Sequence, residues 1–459
     1  MNQDLRGRIY KYKKYPHFDA RIHWRDVYSI VEDPNSISKH AFYPFIHYMQ
    51  TACKYPKKYL AGQLENRDSP KERNIMYSSH IDRYIYEYYA YLVNEQYNVR
   101  VKTDGTNKCA IAYRNNMHRN NIHFAKESFD TIKRIAHAHV IIGDFTGYFD
   151  NISHAYLKKM LCSLLGVDRL SDDMYSVFRS ITHYSYLDLD SIKVFKGMTR
   201  KEFYGLERIF SPDQFRSYKR THITTNNNDY GIPQGSAISA VFSNVYLLDL
   251  DKALNNYVNY LGGVYRRYCD DFIIVLPYSE ENEFKNQLAI ILRELKKVPG
   301  LKLEPRKTQV YEYNEGSITN KPEPYDDNSA NNNNAISYLG FTFDGITVRI
   351  RSKTISKYYG RMYRKADTIS QSHGMTKLGN RIPMSGIYRL YSRYGKDEKS
   401  NSGKFTAKKK KGNFLSYVDR AKRIFGEKES IDRDTKRAWG KLQKRLHVRK
   451  PRRDSGSPK

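Results

Sequence analysis

The sequence predicts an α+β fold centred on a small antiparallel sheet of split βαβ topology, with helices on one face. Apolar, β-branched runs bounded by polar turns predict strands, and apolar residues at helical spacing predict helices between them. Between residues 138 and 313 these elements follow the order strand, helix, strand, strand, helix, strand. That order is the signature of a split βαβ unit.

Two helices and one strand are predicted ahead of this unit. Helical spacing of aromatic and apolar residues predicts helices over 80–93 and around 125–135, and the apolar run at 108–113 predicts a strand. Residues 1–78 mix basic and aromatic residues with Pro and Gly. We expect them to form an N-terminal extension with a few helices.

Acidic residues stand at the ends of the predicted central strands. The run at 138–143 ends at Asp144, and 265–276 reads as two strands whose turn carries Asp270 and Asp271. In a split βαβ sheet the end of the first strand lies beside the central hairpin. The three carboxylates are therefore expected to meet, although they are up to 127 positions apart.

The elements that follow are predicted from the same patterns. Helices are expected over about 237–256 and 280–297, a strand region over 301–313, and a hairpin over 337–349 with Asp344–Gly345 at its turn. Two segments stand apart: 168–229 is a polar, Tyr-rich insertion, and 316–334, rich in Asn, Asp and Pro, is expected to be a mobile loop.

The charge of the chain predicts a polyanionic partner. The net charge is +30, and residues 351–459 hold 32 Lys and Arg against 9 Asp and Glu. Lys408, Lys409, Lys410 and Lys411 form a basic run that we expect to contact nucleic-acid phosphates. No apolar run has membrane-spanning length, and the four cysteines lack metal-ligand spacing. We therefore expect a soluble, cytoplasmic protein without a membrane partner, disulfide framework or zinc site.

The acidic pair indicates a divalent-cation site. Nucleotidyl transfer uses two divalent cations about 3.5–4 Å apart, and Mg²⁺ prefers hard oxygen ligands. A plain turn is the alternative explanation for Asp270 and Asp271. It fits poorly, because adjacent carboxylates beside the apolar run 272–276 repel each other at a cost on the order of several kcal/mol unless a cation neutralises them.

Five segments, in order, resemble the motifs of reverse transcriptases. They are motif A at 144–150 (DFTGYFD), motif B at 231–236 (GIPQGS), the YxDD motif C at 268–271 (YCDD), the motif D lysine at Lys307, and motif E at 338–341 (YLGF). The resemblance covers residues from about 80 to 350. It implies a right-hand polymerase with fingers at 79–143, a ferredoxin-like palm at 144–349 and a helical, basic thumb at 350–459.

The resemblance also assigns roles to matching residues. It implies that Asp144, Asp270 and Asp271, with the Phe145 carbonyl, bind two Mg²⁺ ions, with Mn²⁺ as an alternative. Lys307 would protonate pyrophosphate or stabilise its charge, although an ordinary solvated lysine is the plain alternative.

Further motif residues would contact the nucleotide or the primer. Phe149 would be the steric gate against a 2′-hydroxyl, or else a plain core residue; Gln234 and Gly235 would lie against the nucleotide and template. Leu339 and Gly340 would form the primer grip. Arg114 resembles the fingers arginine that grips the triphosphate, but residues 115–119 depart from the family's Gly-Arg-Ser.

The function implied is RNA-templated DNA synthesis from deoxynucleoside triphosphates, with an RNA template and a DNA product. A viral-type RNA-dependent RNA polymerase is the nearest rival, and it usually has a polar acid where Phe149 stands. Two more hypotheses are a catalytically silent nucleic-acid-binding relic and an enzyme of untemplated or protein-primed DNA synthesis. Within the family, segments 15–19 and 412–418 resemble the unassigned bacterial enzymes of antiphage defence. Members of that group often copy an associated structured noncoding RNA, which a basic thumb would hold by its shape and phosphates.

Overall fold

The computed structural model describes residues 3–10, 12–52, 71–321, 334–376, 378–393 and 412–447. None of the helices in these ranges has the length and apolar composition needed to cross a bilayer. The helices are α1 Gln3–Ile9, α2 Trp24–Val31, α3 Pro34–Ser38, α4 His80–Thr103, α5 Asn121–Ile135, α6 His154–Leu165, α7 Asp172–Thr182, α8 Leu189–Lys196, α9 Arg200–Gly205, α10 Pro212–His222, α11 Ala237–Tyr246, α12 Leu248–Tyr260, α13 Glu281–Lys296, α14 Ser352–Gln371, α15 Ser385–Tyr391, α16 Phe414–Phe425 and α17 Ala438–His447. The strands are β1 Phe45–Ala52, β2 Lys71–Tyr77, β3 His137–Asp144, β4 Ser185–Asp188, β5 Thr224–Thr225, β6 Val264–Tyr268, β7 Asp271–Pro277, β8 Gln309–Asn314, β9 Ser317–Lys321, β10 Ile336–Tyr338, β11 Phe341–Phe343 and β12 Val348–Ile350.

A five-stranded sheet with the order β6-β7-β3-β8-β9 forms the centre of the molecule. Every neighbouring pair in it is antiparallel. β3 lies in the middle, because its β-branched Val140, Ile141 and Ile142 suit a strand that is covered on both faces. The predicted α+β fold with a central antiparallel sheet is confirmed.

Each face of this sheet has its own hydrophobic core, since successive strand residues point to opposite faces. Ile141 and Ile274 belong to one core, which includes residues of α6, α11, α12 and α13. Val140 and Ile273 belong to the other, which includes residues of α5. The helices within the split βαβ unit, α6, α11, α12 and α13, lie on one face as predicted, whereas α5, which precedes the unit, packs against β3 and β7 from the second face.

A second sheet joins the N-terminal segment to the insertion at 168–229. Its order is β2-β1-β4-β5. β1 forms an antiparallel hairpin with β2, but it runs parallel to β4, with Phe45 opposite Tyr186. Parallel partners must be connected through long stretches of chain, so no local sequence pattern marks this pairing.

Residues 15–19 fasten the start of α4. The Asp19 carboxylate accepts the backbone N–H groups of His80 (3.0 Å) and Ile81 (2.9 Å). The Tyr15 hydroxyl donates to the Ser78 carbonyl at 3.1 Å. The first N–H groups of a helix have no partner within the helix, so Asp19 satisfies donors that would otherwise be buried without an acceptor.

Two predicted elements take a different form. Residues 108–113 do not form a strand; within this described segment Ala110 makes an isolated parallel bridge to Arg267. The single helix expected over 237–256 is divided into α11 and α12 at Leu247, whose backbone (φ −107°, ψ 14°) is not helical.

The segment expected to be a mobile loop, 316–334, begins as a strand. Ser317–Lys321 is β9, and it pairs antiparallel with β8. The pairing gives this polar stretch regular backbone hydrogen bonds, which its composition did not predict. Residues 322–333 lie outside the described ranges.

The hairpin predicted at 337–349 is present. β11 pairs antiparallel with β12, and the Asp344 carboxylate accepts the N–H groups of Ile346 (3.1 Å) and Thr347 (2.8 Å) at the turn. Gly345 has a positive φ of 100°, which glycine adopts at little cost.

Candidate active site

The acidic end of the central sheet is built by strand register. Asp144 is the last residue of β3, Asp271 is the first residue of β7, and the two are direct partners in the antiparallel ladder. The carbonyl of Asp270 accepts the N–H of Phe145 at 3.3 Å. The register therefore places Asp144 beside Asp271, with Asp270 directly before it in the chain, despite their separation along the sequence.

A glycine allows the two strands to close at this end. Gly143 precedes Asp144 and is the register partner of Phe272. A Cβ at Gly143 would lie 2.2 Å from the Phe272 ring, so any other residue here would push the ring away. The Phe272 ring fills that space beside Phe145, with ring centroids 5.4 Å apart.

Lys307 lies at the same end of the sheet, and its ammonium contacts the Asp144 carboxylate. The short 3₁₀ turn Pro305–Lys307 places it there. The Glu304 N–H donates to the Asp144 carbonyl at 2.8 Å, and the Lys307 N–H donates to the Glu304 carbonyl at 2.9 Å. The lysine is thus fixed to the backbone of the residue whose side chain it meets.

The donor chemistry of this end suits a divalent cation. The carboxylates of Asp144, Asp270 and Asp271 and the Phe145 carbonyl supply hard oxygen atoms, which Mg²⁺ prefers. Across the described ranges, no three His, Cys, Asp or Glu side chains are already gathered closely enough to form a metal site. Like charges that face each other across a ladder are destabilising, and a bound cation would relieve the repulsion between Asp144 and Asp271, so the chemistry of these residues fits a metal ion.

The turn between β6 and β7 is buried on one side. Cys269 has a positive φ of 62° and is 4 % exposed. Burial, followed by the charge of Asp270, raises the pKa of the Cys269 thiol to about 12. Burial and the neighbouring Cys269 likewise raise the pKa of the Tyr113 hydroxyl. Both groups are neutral, so they add no charge to the acidic end.

A buried ion pair beneath this turn was missed by the sequence analysis. Arg267 is fully buried and donates to the Asp251 carboxylate from Nε (2.8 Å) and Nη2 (2.6 Å). The Tyr265 hydroxyl donates to the same carboxylate at 2.9 Å. Arg267 Nη1 also donates to the carbonyl of Cys269 at 2.9 Å. The ion pair therefore holds the backbone of the residue immediately before Asp270.

A signal for this ion pair exists in the sequence. Side chains alternate between the two faces of a strand, so Arg267 shares its face of β6 with Tyr265, which is buried. An arginine on a buried face needs a carboxylate partner. The alternation could have indicated Arg267, but not which acid it meets.

Motif B lies against strand β2. The Met76 N–H donates to the Gln234 carbonyl at 2.9 Å. Gly235 has a φ of 130°, and a Cβ there would lie 2.3 Å from the Met76 carbonyl oxygen. The glycine is thus required by the approach of β2, a reason different from the nucleotide contact that the resemblance implies. The nucleotide-binding roles of Gln234 and Gly235 stay predictions.

Phe149 lies at the edge of a hydrophobic core. Its side chain is half-buried and packs against the core on the α6 and α11 side. Its carbonyl accepts the N–H of Ile232 at 2.9 Å, which joins motif A to motif B. Phe149 is therefore neither a fully buried core residue nor a fully exposed surface residue. Its role as steric gate stays a prediction.

The Arg114 guanidinium makes hydrogen bonds to α4 and to the segment that follows it. Its side chain is 7 % exposed and donates to Asn98 Oδ1 (3.0 Å), to the carbonyl and side chain of Asn107 (2.5 and 2.6 Å), and to the Ala110 carbonyl (3.3 Å). Burial lowers its pKa. These hydrogen bonds hold the chain after α4, and the triphosphate contact of Arg114 stays a prediction.

The predicted primer grip is a two-residue hairpin turn between β10 and β11. Leu339 and Gly340 both have positive φ (47° and 92°), as tight hairpins of this length favour. Asn121 Nδ2 donates to the Leu339 carbonyl at 3.0 Å, and the Arg351 N–H donates to the Gly340 carbonyl at 3.0 Å. The turn is thus held by the starts of α5 and α14, and its contact with a primer stays a prediction. Lys408, Lys409, Lys410 and Lys411 lie outside the described ranges.

Comparison with known proteins identifies a family. Residues 98–343 match the family model described as reverse transcriptase (RNA-dependent DNA polymerase). The match includes motifs A to D and the motif E segment at 338–341. None of the curated proteins matches the sequence.

Solved structures of Candida telomerases show a distant similarity. A C-terminally truncated apo telomerase from Candida tropicalis is 13 % identical, with a TM-score of 0.39, and the alignment covers 62 % of this chain and 54 % of that one. A telomerase from Candida albicans in complex with a fragment of telomeric RNA is 14 % identical, with a TM-score of 0.34 and coverage of 75 % and 52 %. The chain therefore spans about half the length of these telomerases.

Proposed function

The chain belongs to the reverse transcriptase family, and from this premise we propose that it is an RNA-templated DNA polymerase whose two Mg²⁺ ions are bound by Asp144, Asp270 and Asp271. The observation that carries the proposal is the register of β3 and β7, in which Asp144 and Asp271 are direct partners. When bound, such ions lower the pKa of the primer 3′-hydroxyl and stabilise the leaving phosphates. The carbonyl of Phe145 is a further oxygen donor at this point.

Lys307 is the residue that would serve the leaving pyrophosphate. An ammonium can donate a proton to it or stabilise its charge. The contact between Lys307 and Asp144 supports this role, because it places the ammonium at the carboxylate that would hold a metal ion. The backbone of this turn is hydrogen-bonded through Glu304 to Asp144, which keeps the Lys307 side chain at the acidic end.

Phe149 would select deoxynucleotides. The Phe149 ring is half-buried, and the backbone of the residue is hydrogen-bonded to Ile232 of motif B. The ring therefore cannot easily move to make room for a 2′-hydroxyl on the incoming nucleotide. Gln234 and Gly235 continue the same segment and would face the nucleotide and template. An RNA-synthesising polymerase would place a polar group at position 149 to accept a hydrogen bond from the ribose.

The template would be a structured noncoding RNA copied in antiphage defence, in the bacterial cytoplasm. The excess of Lys and Arg after residue 350 supports a partner held by its phosphates. Segments 15–19 and 412–418 resemble defence-associated enzymes, and both stabilise helix starts. Asp19 accepts a backbone N–H at the start of α4, and Asn413 caps α16 by accepting the Ser416 N–H at 3.1 Å.

Primer extension on an RNA template tests the proposal. The wild-type chain with Mg²⁺ should extend a DNA primer with deoxynucleotides, and Asp270→Ala/Asp271→Ala should not. Asp213→Ala is the matched control, because Asp213 is an exposed carboxylate on α10 whose ion pair with Arg216 is also exposed, and it should leave synthesis unchanged. If wild type and double variant bind RNA equally and neither extends the primer, the chain is a silent nucleic-acid-binding protein and the proposal fails.

A further inference from the structure

Residues 109–113 run alongside strand β6, which is an edge strand of the central sheet. The Ile111 N–H donates to the Arg267 carbonyl at 2.9 Å, and the Arg267 N–H donates to the Cys109 carbonyl at 2.8 Å. These two bonds are those of a short parallel pairing. The segment is thereby fixed to β6, and two residues further along the chain it reaches Tyr113.

The backbone on both sides of Tyr113 is held by polar side chains. Before it, the Ala112 carbonyl accepts from Nδ2 of Asn244 at 2.9 Å, and Asn244 is a buried residue of α11. After it, the buried Arg114 donates to the side chain of Asn107 at 2.6 Å. The conformation of Tyr113 is therefore imposed by its neighbours.

Tyr113 has a strained backbone and contacts a second strained residue. Its φ is 59°, in the left-handed region that residues with a Cβ atom rarely adopt. Its hydroxyl lies against the thiol of Cys269, whose φ is also positive, at 62°. Strain of this kind persists only where the surrounding structure enforces it, and it is concentrated at functional sites.

Cys269 is held from a further direction as well. Nη1 of Arg267 donates to its carbonyl at 2.9 Å, so the guanidinium fixes the backbone while Tyr113 lies against the side chain. Asp270 follows directly and its carbonyl accepts the N–H of Phe145 at 3.3 Å. Rotation of the Cys269 backbone would turn the carboxylate of Asp270, so contacts that fix Cys269 also orient that carboxylate.

We propose that Tyr113 is a positioning residue, which holds the turn of motif C (268–271) so that Asp270 and Asp271 can bind divalent ions. The inference rests on the proposed function and assigns a role to a residue outside motifs A to E. Tyr113 acts through Cys269 and needs no contact of its own with a metal ion. Groups that orient metal ligands typically change metal affinity by about 10–100-fold when they are removed.

Binding of Mn²⁺ to the full chain, measured by electron paramagnetic resonance, tests the proposal without any synthesis. Mn²⁺ suits the same carboxylate ligands as Mg²⁺, and the binding that Asp271→Asn abolishes defines the site. Tyr113→Phe should raise the dissociation constant about threefold, and Tyr113→Ala about tenfold. Tyr175→Phe is the control, because Tyr175 is similarly exposed (43 % against 45 %) but belongs to α7. Equal affinities in the wild-type, Tyr113 and Tyr175 chains would overturn the proposal.

Glycine at position 113 separates positioning from stability. Glycine adopts positive φ at little cost, so Tyr113→Gly should melt at a higher temperature than Tyr113→Ala, although both should bind Mn²⁺ equally weakly. His118, an exposed residue with a φ of 50°, provides the control: His118→Gly should melt above His118→Ala, with Mn²⁺ affinity unchanged in both. If the Mn²⁺ affinity of Tyr113→Gly were that of the wild-type chain, Tyr113 would have only a structural role.

A double variant tests whether Tyr113 acts through Cys269. Tyr113→Phe and Cys269→Ala each remove the same contact, so the double variant should bind Mn²⁺ no more weakly than the weaker of the two single variants. Effects on the dissociation constant that multiply would show that the two residues act independently, and the proposed route through Cys269 would be wrong.

Primer extension over a Mg²⁺ titration is measured in parallel. Tyr113→Phe should need about threefold more Mg²⁺ for the half-maximal rate and should approach the wild-type rate at saturation. If the wild-type chain extends no primer but its Mn²⁺ affinity depends on Tyr113, the polymerase proposal alone fails. If the wild-type chain extends the primer and the Tyr113 variants match Tyr175→Phe, this inference alone fails. A wild-type chain that binds no Mn²⁺ at the site contradicts both.

Discussion

The acidic end of the central sheet contrasts with a cavity of about 420 Å³ between β2 and the starts of α4 and α11, both in charge and in how the chain builds each region. At the acidic end, antiparallel register sets Asp144 opposite Asp271, so that two like charges face each other. At the cavity, Lys13, Arg83 and Glu87 line a space whose wall also includes several tyrosines. Gly235 belongs to motif B and also lines the cavity.

The contrast teaches where local sequence patterns suffice. Strands β3, β6 and β7 have apolar patterns that reveal them directly, and their ends carry the acids. The cavity depends on β2, which is placed through β1, itself parallel to the distant β4. Long-range parallel pairing thus places the wall of the cavity, whereas local strand patterns and the YxDD motif indicate the acidic end.

Asp271→Asn should have the largest effect. It removes a proposed metal ligand, so primer extension should fall at least about 10³-fold. Because it also removes one of two facing like charges, the melting temperature should stay the same or rise. A steep loss of stability would instead mean that Asp271 is a structural residue. Asp213→Asn is the surface control for both measurements.

Arg267→Met should lower the free energy of unfolding more than any substitution at the acidic end. It leaves Asp251 charged and buried without its partner, which costs about 3–5 kcal/mol of unfolding free energy. The double variant Arg267→Met/Asp251→Leu should recover most of that stability in denaturant titrations. Primer extension should not recover, because the Cys269 carbonyl still lacks its donor. Full recovery of both would show that the ion pair has no part in placing Asp270.

Gly235→Ala tests the close contact between motif B and strand β2. Its Cβ would lie 2.3 Å from the Met76 carbonyl, at a φ of 130°, and the resulting strain should cost about 1–3 kcal/mol. Gly205→Ala is the matched control, since a Cβ there meets nothing within 4 Å, and it should change stability by less than about 0.5 kcal/mol. Equal melting temperatures for the two variants would refute the account of Gly235.

His17 should give the smallest effect, a pH dependence confined to the N-terminal region. Burial lowers its pKa to about 3, below the unfolded value of about 6.5. Between these values the unfolded chain binds a proton that the folded chain does not, so stability falls as pH falls, by up to about 1.4 kcal/mol per pH unit. His17→Asn should flatten the slope of unfolding free energy between pH 6.5 and 5. Burial also raises the pKa of the nearby Asp19 carboxyl, and this shift makes stability rise as pH falls. The quantity to measure is therefore the difference in slope between the wild-type chain and His17→Asn.

Much of the central sheet could be predicted from the sequence. β3 and β7 have continuous apolar runs, so their existence, pairing and acidic ends followed from pattern and order. The break at Leu247 could not, because α11 and α12 have one continuous helical periodicity. β9 could not either, because its sequence is polar and its pairing to β8 provides the structure.

Backbone geometry places some of the candidate residues, whereas others depend on side-chain partners that no local pattern shows. The positions of Asp144 and Lys307 at one end of the sheet follow from a strand end and a short turn, and their roles in catalysis stay predictions. The partners of Arg114 could not be predicted, since nothing local shows that Asn98 and Asn107 would accept from its guanidinium. Alternation along β6 could have indicated that Arg267 is buried, but not that its partner is Asp251, which belongs to a separate helix.

Iron-mediated cleavage of the backbone tests the central claim most directly. Fe²⁺ bound in place of Mg²⁺, with ascorbate and peroxide, generates radicals that cut the chain near the ion. The account predicts paired cuts around residues 143–146 and 269–272 that excess Mg²⁺ suppresses and Asp271→Asn weakens. Cuts confined to other segments, or cuts in these two that Mg²⁺ leaves unchanged, would contradict a divalent-ion site shared by β3 and β7.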